Sequence, residues 1–418
     1  MQEEKKAFFN DEKRHIFIFI KWMIIAVICG LLIGAVGVLF SYCLSYVTTT
    51  RLNYPIIVFL LPVSGLLIVA MYRMSGVRQS KGTNMVISSV RSTEKVPMKM
   101  APLIFLSTTI THLFGGSAGR EGAALQLGGS IAAQIGRIIK LDEKDMHIIT
   151  MCGMSAAFSA LFGTPITAAI FPLEVISVGI MYYAALVPCA LASTIAAALA
   201  ASLGCKGEHF IIPQIESLDF NIAWKVIVLA ILCALVARIF CHALHYVNEL
   251  FRMYLRNQYL RIFCGGCIIV LLALVFGYDY LGAGMDMIEK SIEGEVIWQA
   301  FLLKIVFTSI TLGCGFKGGE IVPSFFIGAT FGALVGSLVG IPVGFGAAIG
   351  LMSVFCGVTN CPITSLLLSF ELFGFVGTAY FLLADAISYM LSGYESLYHE
   401  QKIMYSKFSP RFIDKKQK

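Results

Sequence analysis

The feature that most constrains this chain is a series of long apolar runs, at Trp22–Val47, Ile56–Met71, Tyr182–Leu203, Ile222–Phe240, Ile262–Phe276 and Phe375–Leu391. Several reach the ~20 residues needed to cross about 30 Å of hydrocarbon, and others are shorter. Between them lie apolar segments broken by glycine and proline, which predict tilted, partial or re-entrant helices. Such breaks are tolerated at membrane depth only where the freed backbone lines a cavity or is packed in protein. Composition agrees: 58% of the 418 residues are hydrophobic and 13% charged, against roughly 45–50% and about 25% in soluble domains. Mean hydropathy is +0.82. Lipid must replace much of the surrounding water. The predicted fold class is an all-α polytopic membrane protein.

Charge placement gives the expected topology. Met1–His15 is polar, carries Lys5, Lys6, Lys13 and Arg14, and lacks the pattern of a cleavable signal. Lys407, Arg411, Lys415, Lys416 and Lys418 follow the last apolar run, and the linker from Arg73 to Lys99 is also basic. Basic flanks favour the inner side, so both termini are expected in the cytoplasm, with an even number of crossings. The formal charge of +6 reflects this topology. Nucleic acid is not an expected partner, because no basic stripe is interleaved with exposed aromatics.

The twelve cysteines lie mostly inside apolar runs. Cys264-Gly-Gly-Cys267 has knuckle spacing but no second pair, so helix packing is the expected role. His242 and His245 have no carboxylate at suitable spacing, and an interface or loop-end role is expected. No metal or cofactor is implied.

Two stretches repeat. Met154-Ser-Ala-Ala-Phe158, Gly163-Thr-Pro-Ile-Thr167 and Glu174 are echoed by Met352-Ser-Val-Phe355, Asn360-Cys-Pro-Ile-Thr364 and Glu371, with Pro165 and Pro362 197 positions apart. Gly119-Arg-Glu-Gly122 opens a Gly/Ala-rich segment through Gly136, and Gly318-Gly-Glu320 opens another through Gly340; these glutamates are 199 apart. Two echoes at nearly one offset predict an internal duplication. The expected organisation is a polar cytoplasmic segment at 1–15, one transmembrane domain at 16–398, and a short basic cytoplasmic tail at 399–418, too short for a regulatory domain. The repeats are expected at about 16–205 and 220–398 and in inverted orientation, with the site at their interface near the midplane.

Anions crossing a membrane need partial positive charge without many mobile counter-ions. Helix N-termini supply unpaired N–H groups and roughly half a positive charge. The signature is a glycine-rich turn opening an apolar helix, at Gly115–Gly122, at Gly313–Pro323, and more weakly at Gly82-Thr83-Asn84. Pro323 suits a first turn, where its missing N–H costs nothing. Glu121 is costly to bury ionised unless those donors hold it. It then competes with a transported anion, and protonation releases it. The alternative is an ordinary first-turn carboxylate complementing the dipole.

These stretches resemble the chloride channel and transporter (CLC) superfamily over nearly the whole chain. Its three anion-binding stretches and late tyrosine correspond here to Gly82-Thr83-Asn84-Met85-Val86, Gly119-Arg120-Glu121-Gly122-Ala123, Gly319-Glu320-Ile321-Val322-Pro323 and Tyr398. The resemblance implies a homodimer with one pore per subunit, many helices of uneven length, and Glu121 as the external gating glutamate.

The departures resemble the fluoride/proton antiporter branch. The serine-proline element is absent from the first stretch, Gly318-Gly319-Glu320 precedes the third helix, and the inner proton-glutamate position aligns with Val175, beside Glu174. Fluoride is small and strongly hydrated and needs donors to replace its water; Thr83 and Asn84 offer them. Glu320 is a candidate for proton relay or pore shaping, with helix capping as the alternative. Tyr398 is placed at the ion by its family position, although a lone tyrosine near a membrane end is ordinarily an interface anchor. Phe325 and Phe326 are candidates for the pore lining, with packing as the default. Glu174 and Glu371 recur in both halves, which favours a shared structural role. The expected function is fluoride/proton antiport across the plasma membrane. A chloride channel or chloride/proton exchanger of the same fold is the alternative. Enzyme motifs for phosphate binding, nucleophile elbows and His-Glu-x-x-His zinc sites are absent.

Overall fold

A computed structural model describes residues 2–77, 82–92, 96–205, 207–212 and 218–416, the first nine and last two of them as backbone alone. Met1, Lys418 and linker residues 78–81 and 93–95 lie outside the described residues, as do the side chains of Lys5, Lys6, Lys415 and Lys416.

Among the described residues the α-helices come in two runs of eight. The first is α1 (Gln2–Asn53), α2 (Leu61–Met74), α3 (Thr83–Ser89), α4 (Met100–Leu113), α5 (Glu121–Ile138), α6 (Glu143–Phe162), α7 (Pro165–Val175) and α8 (Leu186–Ser202). The second is α9 (Phe220–Tyr254), α10 (Gln258–Phe276), α11 (Met285–Glu293), α12 (Ala300–Cys314), α13 (Ile321–Val339), α14 (Val343–Thr359), α15 (Pro362–Phe373) and α16 (Thr378–Leu391). Seven helices among the described residues are long and apolar enough to cross a membrane, and six shorter apolar ones of 10–17 residues accompany them. The polar start forms no separate element: α1 runs unbroken from Gln2 into the first apolar run.

The two runs are tied by reciprocal bonds. Gly119 N donates to Gly319 O and Gly319 N to Gly119 O, both at 2.7 Å. Ser117 N donates to Thr311 Oγ1 at 3.1 Å, and Lys317 N to Thr111 Oγ1 at 3.3 Å. Contacts exchanged in this way are those of a two-fold relation. The Gly119–Gly319 bridge is antiparallel, so α5 and α13 leave it in opposite directions.

Packing is alike in the two runs. Gly128 of α5 lies so close to α6 that a Cβ there would be 2.1 Å from Gly153 O, and Gly328 of α13 meets α14 with a Cβ position 2.4 Å from Gly350 O. Small residues let helix backbones approach where lipid removes the hydrophobic drive between helices. The cysteine-flanked glycines serve this end as well: Gly265 packs on Cys314 and Gly266 on the Pro62 backbone. No metal-binding group of three or more ligands occurs among the described residues.

Beyond α16, β2 (Lys402–Tyr405) pairs in parallel with β1 (Ser177–Val178) and antiparallel with β3 (Phe412–Lys416). The short sheet takes in the chain just beyond α7, and Ile403 of β2 is buried. Lys-Ile-Met-Tyr does not alternate polar with apolar residues, so the strand carries little local signal.

Candidate anion site

Two helix starts meet where the bridge forms. The first backbone bond of α5 is Ala124 N to Arg120 O, and that of α13 is Ser324 N to Glu320 O. The amides of Glu121, Gly122, Ala123, Ile321 and Val322 are therefore left without partners inside their helices. Pro323, in the first turn of α13, has no N–H to leave unpaired. These positions are all buried, so their donors face a common interior. Glycine is needed beside them, since a Cβ at Gly119 would stand 2.6 Å from Glu121 Oε2 and 3.0 Å from Pro323 Cδ.

Glu121 is fully buried. Its Oε2 accepts from Arg120 N at 3.0 Å, its carboxylate lies against the amides of Glu121 and Val322, and its Oε1 has no hydrogen-bond partner. The acid thus sits between helix starts contributed by both runs. The Arg120 guanidinium is 3.5 Å from Glu121 Oε1 and 2.8 Å from Glu208 Oε1. Arg120 also lines a cavity of about 320 Å³ that holds Arg51, His112 and Lys290.

Glu320 lies beside the α5 start, its Oε2 3.2 Å from where a Cβ on Gly122 would stand. Its Oε2 is buried without a partner, and it lines a second cavity of about 430 Å³ together with Gly82, Asn84, Gln126, Lys317 and Glu400. Thr83 is buried there, donating to Gly122 O at 3.3 Å. Asn84 Oδ1 accepts from Glu400 N at 3.0 Å, while Met85 is buried. Tyr398 is 1% exposed and its hydroxyl is unpartnered. The candidates from all four stretches therefore surround one buried region, with one cavity at Arg120 and the other at Glu320.

Phe325 packs edge-on against Phe162 and Phe355, and Phe326 lies beneath the Lys304 ammonium. His245 Nε2 donates to Ser396 O at 2.8 Å, and its ring lies against His399 at a 3.7 Å centroid separation, a loop-end contact. Glu174 accepts from Ile363 N and Thr364 N at 3.1 and 2.8 Å, and Glu371 accepts from Ile166 N and Thr167 N at 2.9 and 2.8 Å. Each acid caps the Pro-Ile-Thr helix of the opposite run.

The structure adds Gln126, which sequence reasoning passed over. Its Nε2 donates to Gly122 O at 3.1 Å, and its buried Oε1 is unpartnered. A single amide in an otherwise apolar Gly/Ala-rich helix was the available signal. Lys304, fully buried and donating to Gly282 O at 2.8 Å and Tyr280 O at 3.2 Å, was similarly hidden inside an apolar run.

Comparison with known proteins agrees with this arrangement. The chain is 33% identical over 395 residues to a chloride/fluoride channel protein of Pseudomonas syringae pv. tomato, covering 93% of this chain and 87% of that one. It matches the crystal structure of a CLC-type fluoride/proton antiporter at 33% identity and a TM-score of 0.89, covering 93% of this chain and 99% of the other. A slow cyanobacterial chloride/proton antiporter shares the fold at 18% identity and a TM-score of 0.75, over 89% and 94% of the two chains. The family model for voltage gated chloride channels matches residues 64–393, and with the paired helix starts this places the chain in the voltage gated chloride channel family.

Proposed function

We propose that this chain is a secondary active fluoride/proton antiporter that exports fluoride, working as a homodimer in the plasma membrane with both termini cytoplasmic. The observation that carries the reading is the buried Glu121 carboxylate among first-turn amides of α5 and α13. Ionised, it occupies the donors that an anion needs. Protonated, it loses its claim on them and a free anion takes the place. One carboxyl thereby binds a proton or yields to an anion, and this exclusion links the two fluxes.

Arg120 and its cavity stand at the outer end, where protons reach Glu121. Glu320, with its unpartnered oxygen beside the second cavity, passes the proton to the inner side. Thr83, Asn84 and Tyr398 receive fluoride there, where hydroxyl and amide groups replace its water. The similarity to a chloride/fluoride channel protein and to a fluoride/proton antiporter supports fluoride as the ion. From an acidic medium fluoride enters as its neutral conjugate acid, dissociates in the less acidic cytoplasm and is trapped there, so proton-driven export has a use.

Purified protein in liposomes, followed with a fluoride electrode and a pH electrode together, tests this. Uphill fluoride movement driven by a proton gradient is expected. Fluoride flux without linked proton movement defeats the antiport reading. Chloride flux equal to or above fluoride flux favours a chloride channel or exchanger.

A further inference from the structure

The loop after α16 carries Tyr398, yet nothing holds that side chain at its tip, because the hydroxyl is unpartnered. Its place at the inner end of the pathway is therefore set by the backbone on either side. That backbone is anchored densely. Leu397 N donates to Val358 O at 2.9 Å, and Gln401 N to Tyr398 O at 3.0 Å.

Gln401 is the hub of this anchor. It is fully buried. Its Nε2 donates to Val175 O at 2.9 Å, at the end of α7, and to Thr359 O at 2.8 Å, at the end of α14. Its Oε1 accepts from Asn360 Nδ2 at 3.0 Å. Asn360, left-handed at φ 59°, is held from its other side by Lys407, which also donates to Tyr389 O at 2.8 Å. One carboxamide thus ties the Tyr398 turn to both runs of helices. Carbonyls at helix ends have no intrahelical donor, and a buried acceptor left unpaired is costly. A side chain that satisfies two of them, one from each run, fixes their separation as well as its own position.

We propose that Gln401 is a positioning residue for the inner end of the anion pathway, holding Tyr398 in place by pinning its turn to Val175 of the first run and Thr359 of the second. The inference rests on the antiport reading for the meaning of Tyr398, and the anchor itself rests on the bonds alone. Without the carboxamide, the turn moves relative to Glu320 and Asn84, so anion and proton no longer exclude each other cleanly.

The test is a double-mutant cycle in liposomes with Gln401→Leu, Gln401→Asn and Tyr398→Ala, reading fluoride turnover, fluoride KM and protons moved per fluoride. Gln401→Asn is one methylene shorter and carries the cycle if Gln401→Leu does not fold. The expected result is a loss of about threefold or more in protons per fluoride, with fluoride turnover kept within roughly threefold and no further loss when either variant is added to Tyr398→Ala. Wild-type stoichiometry and KM in the Gln401 variants overturn the proposal, and so does a loss that adds to that of Tyr398→Ala. If the wild-type protein moves fluoride without protons, antiport fails separately and the cycle is read on passive fluoride flux. Non-additivity there still supports the anchor, and additivity refutes it.

Discussion

Two pairs of glutamates occupy the duplicated core, and they differ in how their oxygens are used. Glu174 and Glu371 are 197 positions apart and truly equivalent: each places both oxygens on amides of the opposite run, at Ile363 and Thr364 and at Ile166 and Thr167. Glu121 and Glu320 are 199 apart, but the bridge that aligns the runs joins Gly119 to Gly319, an offset of 200. Glu121 is therefore the counterpart of Ile321, and Glu320 that of Arg120. Each of these non-equivalent acids keeps a buried oxygen without a hydrogen bond, Glu121 Oε1 lying 3.5 Å from the Arg120 guanidinium. Acids that obey the internal symmetry bind amides with both oxygens, and acids that break it leave one oxygen without a hydrogen bond.

The comparison is open to direct attack. The largest effect is expected from Glu121→Gln, which removes the titrating group while keeping the shape. Protons moved per fluoride should fall by about tenfold or more, read by paired fluoride and pH electrodes. Glu320→Gln should cut the proton flux by a smaller factor, on the order of several-fold, with fluoride binding by calorimetry largely kept. Glu174→Ala and Glu371→Ala should leave protons per fluoride unchanged in the protein that folds. Each should cost roughly 1.5–3 kcal/mol, seen as a lower midpoint of thermal unfolding in detergent, because two amides lose charged acceptors. The smallest effect is expected at Cys267→Ser, on an exposed position of α10. It should change transport and stability negligibly, within about 0.5 kcal/mol.

Much of this contrast was legible in the sequence. Apolar runs gave the membrane class because their length and uncharged interior are demanded by hydrocarbon. Glycine-led starts at Gly119 and Gly319 marked the helix ends because only glycine lets two backbones and a carboxylate approach so closely. The Pro-Ile-Thr echoes gave the shared structural role of Glu174 and Glu371. The register of the other echo was not legible. Matching Glu121 to Glu320 is natural by residue type, and only the bridge between backbones reveals the one-residue shift. Gln401 was equally hidden, because its partners at Val175 and Thr359 lie far away in sequence and are carbonyls, which carry no side-chain signature. The strand at Lys402–Tyr405 depends on pairing with Ser177–Val178, another long-range event.

The central claim is that the Glu121 carboxylate and fluoride compete for the same amides. Fluoride binding to wild-type protein and to Glu121→Gln, measured by calorimetry between about pH 5.5 and 8, tests it most directly. Competition predicts that wild-type affinity rises as pH falls, because protonation withdraws the tethered rival, while Glu121→Gln binds tightly across the range. Equal pH slopes in the two proteins would contradict it.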